Sequence, residues 1–418
     1  MGLHKVNRIE LITKRMLHYK RVLWREIMKQ KNIFWAFIGI ILLFLSCSII
    51  SVKDTNTLDS IISQLDEKFN KSVEKKIPGA VIVFIKDGEI YYRHSFGYKD
   101  KENKIVMTEN SIFQVASISK PFCAFAVMKL YEEGLIVLDE SINNYLTRWK
   151  IPESKYQIQD VTVRRLLSHT AGTSVHGYAG YPPDIGLPTI EQSLLGNPES
   201  IYRKYHKSPV ILEKKPGEKW NYSGGGYTIL QLAVEEITGK SFPEYMNENI
   251  LKKLNMTDSS FLYNPEMIKR LPLPYSFSLS PIPNFLFSEK AAAGLYTTAE
   301  DMANMIIELL KCYHGEDNNF IITMDSLKMM LEPEAKIRGI MAALLGKDAR
   351  MGLGLFTFDL GNGIKTYGHG GGNQGWTSYF EFCPETRDGM ILLTNGNVAD
   401  FKIVQPLKKA WNKYIRSQ

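Results

Sequence analysis

An uncharged, apolar run near the N terminus divides this chain into parts that cannot share one fold. Residues 33–52 are 20 consecutive residues without a charged side chain, long enough to cross a bilayer as a helix. The preceding residues hold nine Lys and Arg and two acidic residues, so their net charge of +7 equals that of the whole protein. Positive charge before a membrane span favours the cytoplasm. We therefore predict a basic cytoplasmic tail (1–32), a transmembrane signal-anchor (33–52), a linker (53–57) and an extracytoplasmic domain (58–418) at the cell membrane.

The same run has three other interpretations. It could be a buried core helix, although its length and basic flank favour a membrane span. Translation from Met28 would turn it into an ordinary signal peptide, and residues 44–47 form a weak lipid-attachment sequence. The start codon (Met1, Met16 or Met28) and the fate of the segment stay open. The signal-peptide and lipid-attachment interpretations also place the domain outside the cytoplasm.

The remaining charge argues against a nucleic-acid partner. Outside the tail, 42 Lys and Arg balance 42 Asp and Glu, whereas nucleic-acid-binding domains concentrate basic residues on one face. Neither the four cysteines nor the eight histidines have the close spacing of metal ligands, so we expect no metal or other cofactor. A disulfide among Cys123, Cys312 and Cys383 is possible but is not predicted.

The hydrophobic pattern of residues 58–418 changes from strand to helix and back to strand. An Asp-Gly pair at 87–88 joins two β-rich runs and is typical of a hairpin. Helices are expected over 58–69, 117–134 and 401–415, strands over 353–360, 376–382 and 389–394, and long loops that could wall an active site over 171–188 and 265–283. Strands at both ends predict an α/β (α+β) sandwich. Its mainly antiparallel sheet is flanked by helices, and a mostly helical subdomain is inserted at about 136–335.

Ser117 and Lys120 are candidates for a nucleophile and its base. Three residues apart at a predicted helix start, they share one face within about one turn. A serine hydroxyl needs a proton acceptor at neutral pH, and a lysine with a lowered pKa can serve. The spacing alone is weak evidence for a catalytic pair, because Ser72 and Lys75 repeat it in a polar helical stretch.

Two further segments strengthen this hypothesis. Tyr222 stands before a run of three glycines that opens a predicted helix, and residues 368–382 read Gly-His-Gly-Gly-Gly-Asn-Gln-Gly-Trp-Thr-Ser-Tyr-Phe-Glu-Phe. In order and spacing, the three elements resemble those of the serine β-lactamase and penicillin-recognising D-Ala-D-Ala peptidase family. Class C β-lactamases and their esterase and D-peptidase relatives are especially similar, and the flanking phrases at 166–172 and 293–301 fit as well.

The resemblance implies that Ser117 is acylated, that Lys120 deprotonates it and that Tyr222 passes a proton to the leaving group. It assigns the glycine-rich element, with Gly371 and Gly372, to substrate and oxyanion binding, and the N–H groups of Ser117 and Gly372 to the oxyanion hole. His369 replaces the Lys of the family's Lys-Thr-Gly.

Two departures from the family pattern bear on the substrate. The Tyr-x-Asn element ends here in Gly224, which has no side-chain amide. His369 is largely neutral at pH 7, unlike the lysine that it replaces. Lys365 begins a similar triplet, but the segment from His369 fits the family strand without a gap, so Lys365 is not assigned.

The remaining candidates have more ordinary interpretations. His169 is expected to be a structural histidine at a helix end rather than a catalytic base. His176 belongs to a sequence that misses the last glycine of Gly-x-Ser-x-Gly, which argues against an α/β-hydrolase. Tyr178, Tyr181 and Trp376 either line the cleft or only pack.

These observations predict a membrane-anchored serine hydrolase that acts on an ester or amide. The expected partners are the membrane and a small-molecule, peptide or cell-wall substrate, of which a D-amino-acid-containing peptide or cell-envelope compound suits the location. The alternatives are a class C-type β-lactamase and a non-catalytic protein that binds penicillin or wall fragments.

Overall fold

One antiparallel sheet is assembled from both ends of the domain. The computed structural model describes residues 57–73, 77–196, 206, 208–397 and 403–418. Within them, nine strands follow the order β3-β2-β1-β11-β10-β9-β8-β7-β6, and β4 pairs with β5 separately. The strands are β1 (Gly79–Lys86), β2 (Glu89–Asp100), β3 (Ile105–Val106), β4 (Phe113–Gln114), β5 (Tyr296–Thr297), β6 (Ala335–Lys336), β7 (Arg350–Met351), β8 (Phe356–Gly361), β9 (Ile364–Asn373), β10 (Trp376–Cys383) and β11 (Asp388–Thr394).

Helices cover both faces of this sheet. They are α1 (Leu58–Val73), α2 (Ser119–Glu132), α3 (Val163–Leu167), α4 (Ile190–Leu195), α5 (Gly224–Thr238), α6 (Phe242–Met246), α7 (Pro265–Ile268), α8 (Lys290–Ala293), α9 (Ala299–Tyr313), α10 (Met324–Leu331), α11 (Gly339–Leu345) and α12 (Gln405–Ile415). Strand β1 is buried on both sides because its side chains alternate. Val81 and Val83 join the core that contains α2, α5 and α9, whereas Ile82 and Phe84 pack with α1 and α12.

Short sequence patterns predicted the first hairpin correctly but placed the start of one strand too early. The hairpin at Asp87 and Gly88 is confirmed, since both residues have the positive φ angles, 55° and 81°, that such a turn requires. The strand expected from Leu353 instead begins at Phe356. Gly354, with φ 88°, turns the chain there, and a Cβ at this glycine would lie only 2.4 Å from that of Ala124 in α2.

The predicted tail, anchor and most of the linker lie outside the described residues. Among the residues that are described, no helix has both the length and the apolar character needed to cross a membrane. The described residues belong to one unit that runs from residue 56 to the C terminus. Cys123, Cys312 and Cys383 are buried and free within it.

Candidate active site

Ser117 lies at a sharp bend before α2. Ala116 has a φ of 50°, which is uncommon for a residue with a side chain, and the helix begins two residues after Ser117. Backbone hydrogen bonds fasten the bend at both ends, because Val115 N donates to Leu295 O at 3.0 Å and Ser119 N donates to Ala116 O at 2.9 Å. The Ser117 hydroxyl is therefore presented by a rigid segment.

Lys120 is the second residue of α2 and is 2% exposed. Its Nζ is 3.0 Å from Ser117 Oγ and donates to the carbonyl of Ala292 in α8 at 2.7 Å. Burial disfavours the ammonium form and lowers the pKa of Lys120 from 10.5 to about 7. A large share of Lys120 is therefore neutral at pH 7 and able to accept a proton from Ser117.

Tyr222 completes a group of three around the Ser117 hydroxyl. Its side chain lies beside that of Ser117, and its ring centre is 5.0 Å from Lys120 Nζ. Burial raises the pKa of Tyr222, so the phenol keeps its proton at neutral pH. The glycines that follow bring α5 close to its neighbours, since a Cβ at Gly225 would lie 2.7 Å from Ser174 O.

His369 lies on β9 and carries no charge at neutral pH. It is 1% exposed, and burial lowers its pKa to about 3. Its Nδ1 donates to Gly370 O at 2.6 Å, so the bare lone pair is on Nε2, which has no partner among the described residues. The ring stacks on Phe356 with centres 4.6 Å apart. Lys365 also lies on β9, about 13 Å along the strand from His369. It is the cross-strand neighbour of Asp359, in the part of β9 that β8 covers.

The glycines after His369 bring β9 against the nucleophile. Strand β8 pairs with β9 only as far as Gly368, so the following residues of β9 lie beyond this partner. A Cβ at Gly371 would lie 2.1 Å from Val115 O and 3.1 Å from Ser117 N, which leaves room only for glycine. In the described part of the chain, no neighbouring atom lies within 4 Å of a Cβ built on Gly372. The assignment of the Gly372 N–H to an oxyanion hole stays a prediction.

Two residues contribute more to the site than their sequence context indicated. His169 lies just after the end of α3, as the sequence indicated, and it packs against Tyr222 with ring centres 4.3 Å apart. The Tyr178 ring would be 3.1 Å from a Cβ at Gly224, so this loop residue fills the space where a side chain at position 224 would lie. Both contacts join segments that are distant in sequence, and no spacing signal could have found them.

The other two aromatic candidates pack internally. Tyr181 is 1% exposed and donates to Glu289 at 3.2 Å, and Trp376 is 1% exposed and contacts Phe113 edge to face.

His176 is exposed, with Nδ1 at Tyr222 O and Nε2 3.3 Å from Glu213. The 265–283 loop reaches the β9–β10 turn, where Gly375 meets Pro274.

The comparisons place the chain in the serine β-lactamase and penicillin-binding protein superfamily. The family model described as Beta-lactamase matches residues 58–408, and the chain therefore belongs to the beta-lactamase family. Members of this family are typically serine hydrolases.

Several named relatives agree with this assignment. Protein flp of Staphylococcus aureus strain MRSA252 is 28% identical over 250 residues, which are 58% of this chain and 48% of the relative. Penicillin-binding protein 4* of Bacillus subtilis strain 168 is 28% identical over 219 residues, or 51% of this chain and 46% of the relative. The chain thus spans about half the length of the curated relatives it matches. The octameric penicillin-binding protein homologue from Pyrococcus abyssi superposes with a TM-score of 0.67 at 26% identity, covering 84% of this chain and 77% of that one.

Proposed function

We propose that this protein is a membrane-anchored, extracytoplasmic serine hydrolase that cleaves an ester or amide through an acyl-serine intermediate. Its substrate is a D-amino-acid-containing peptide or another cell-envelope compound. The observation that carries the proposal is the contact of one hydroxyl, that of Ser117, with both a lysine of lowered pKa at 3.0 Å and a buried phenol. A group that only binds a ligand has no need of this proton path.

The proposed reaction has two stages. Neutral Lys120 takes the proton as Ser117 Oγ attacks the substrate carbonyl, and the N–H groups of Ser117 and Gly372 stabilise the oxyanion. Tyr222 passes its proton to the leaving alcohol or amine and is reprotonated from Lys120, so the net result is the transfer of one proton from Ser117 to the product. Water then attacks the acyl-serine by the reverse path, which releases the acid and restores the hydroxyl.

The surroundings of the catalytic group favour an ester or amide over a β-lactam. By resemblance, the positions of Gly224 and His369 would hold the side amide and the carboxylate of a penicillin. They offer instead the ring of Tyr178 and a neutral imidazole stacked on Phe356. A charge-assisted hydrogen bond contributes about 1.5 to 3 kcal/mol. Its loss at His369 would lower β-lactam turnover by at least about tenfold.

Two alternatives remain, because two of the relatives are described as a penicillin-binding protein or its homologue. One is a class C-type β-lactamase and the other is a non-catalytic protein that binds penicillin or wall fragments. The deciding experiment compares kcat/KM of the full-length protein for nitrocefin, a p-nitrophenyl ester and a D-alanyl peptide at pH 7, with Ser117→Ala as control. The proposal expects ester or peptide turnover that Ser117→Ala abolishes. Faster turnover of nitrocefin favours the β-lactamase, and stoichiometric labelling by penicillin without turnover of any substrate favours the binding protein.

The proposed location has its own test. Protease added outside intact cells is expected to digest the domain after residue 52 and to spare the tail before residue 33. Protection of the domain until the cells are lysed would contradict the charge argument. If translation starts at Met28, peptide mapping will find no peptide from residues 1–27.

A further inference from the structure

His169 follows α3 in an unusual backbone conformation. Its φ is 56°, in the left-handed region that few residues other than glycine adopt, and its side chain is 2% exposed. Such a conformation persists only where surrounding contacts hold it. Those contacts lead to the segment that carries Tyr222.

His169 fixes the backbone on both sides of Tyr222. Asn221 N donates to the His169 carbonyl at 2.7 Å, and Ser223 N donates to His169 Nδ1 at 3.1 Å. Between these two hydrogen bonds, the imidazole packs against the Tyr222 ring with centres 4.3 Å apart. One residue thus determines the position of the backbone before the tyrosine, the backbone after it and one side of its ring.

This geometry argues against His169 as a proton acceptor. The lone pair of Nδ1 is occupied by the Ser223 N–H, so in the neutral ring the proton is on Nε2. Burial and the nearby Lys120 hold the pKa of His169 well below 6.5. The ring therefore stays neutral, and its contribution is to the position of its neighbour.

We propose that His169 is a positioning residue that holds the Tyr222 hydroxyl at Ser117. The inference rests on the proposed function for its catalytic consequence, since it acts through Tyr222. It makes a structural claim as well, that the orientation of Tyr222 depends on the His169 side chain, and this claim can be tested without any activity.

The kinetic test uses two substitutions of unequal effect. His169→Ala removes both the ring and the acceptor, and we expect acylation of Ser117 to slow about tenfold or more, because small misplacements of reacting groups are costly. His169→Asn tolerates a positive φ and returns an acceptor, Oδ1, near the position of Nδ1, so it should recover most of that loss. In the Tyr222→Phe background, His169→Ala should slow acylation no further. If His169→Ala slows acylation by its full factor in the Tyr222→Phe background as well, the proposal is overturned. It is also overturned if His169→Asn is folded but acylates as slowly as Tyr222→Phe.

The structural test uses the full-length protein labelled with ¹³Cζ-tyrosine. The Tyr222 resonance is assigned by its absence in Tyr222→Phe. We expect it to shift or broaden in His169→Ala and to return toward the original position in His169→Asn. If the Ala variant does not fold, His169→Gly replaces it, because glycine suits a φ of 56° and also lacks the ring and the acceptor; an unchanged Tyr222 resonance in that variant would refute the proposal.

A remote histidine provides the matched control. His314 Nε2 lies 2.9 Å from Pro384 O, outside the site, and His314→Ala should leave the Tyr222 resonance unchanged. An unchanged resonance in His169→Ala would refute the inference, whatever the protein hydrolyses. A shifted resonance in a protein that never acylates Ser117 would instead uphold the positioning and refute the proposed function.

Discussion

Replacing Lys120 by methionine should stabilise the protein, and do so more at pH 7 than at pH 9. The unfolded lysine titrates near 10.5, whereas burial lowers the folded pKa to about 7. The unfolded state therefore binds more protons between these values, and the stability of the folded protein falls as the pH is lowered through this window. Because a pKa unit is worth about 1.4 kcal/mol, folding with this lysine costs about 4 kcal/mol at pH 7 and about 2 kcal/mol at pH 9.

Methionine removes this cost together with two hydrogen bonds. The contacts of Lys120 with Ser117 and Ala292 contribute about 1 kcal/mol each. The variant should thus be about 2 kcal/mol more stable than the unsubstituted protein at pH 7 and about equally stable at pH 9. The assay is urea unfolding of both full-length proteins in mild detergent at pH 7, 8 and 9. Other groups titrate in both proteins, so the difference between them isolates Lys120. A difference that does not change from pH 7 to pH 9 would refute the lowered pKa.

Three further predictions concern the reaction. The rate of Ser117 acylation should rise with pH through about 7 and then level off, because neutral Lys120 accepts the proton; a flat stopped-flow profile from pH 5.5 to 8.5 would argue for another base. Lys120→Ala and Tyr222→Phe should each slow acylation by about 10²-fold or more, and the double variant should be little slower than either single variant. If the two factors multiply instead, the residues do not serve one proton path. Gly224→Asn should fail to improve nitrocefin turnover because the new side chain meets the Tyr178 ring, and should improve it only together with Tyr178→Ala; improvement in the single variant would show that the ring does not fill this space.

Patterns within short stretches of sequence predicted much of the framework. The Asp87–Gly88 turn specifies local backbone geometry, and it joins β1 and β2 as expected. One sheet built from both ends of the domain was predicted because β-rich runs lie at both ends of its sequence. The strand order confirms this prediction. The five two-residue strands, β3 to β7, are too short to have a period, so the sequence could not indicate them.

The site could be predicted only in part. Ser117 and Lys120 are one helical turn apart, so their spacing alone predicts that they meet, and their contact with Tyr222 was implied by the family resemblance. The approach of His169 to Tyr222 depends on how two loops pack, and the burial of His369 against Phe356 depends on the sheet register. Tertiary contacts also determine the pKa values of Lys120 and His369, because burial makes the largest contribution to both shifts.

The most direct test of the central claim is the mass of the protein trapped with a substrate. Full-length protein is mixed with a p-nitrophenyl ester, quenched in acid within the first turnover and digested, and the peptides that contain Ser117 and Ser72 are compared by mass spectrometry. We expect one acyl group on the Ser117 peptide, none on the Ser72 peptide, and no adduct at either site in Ser117→Ala. Acylation of Ser72, or hydrolysis that continues in Ser117→Ala, would contradict it.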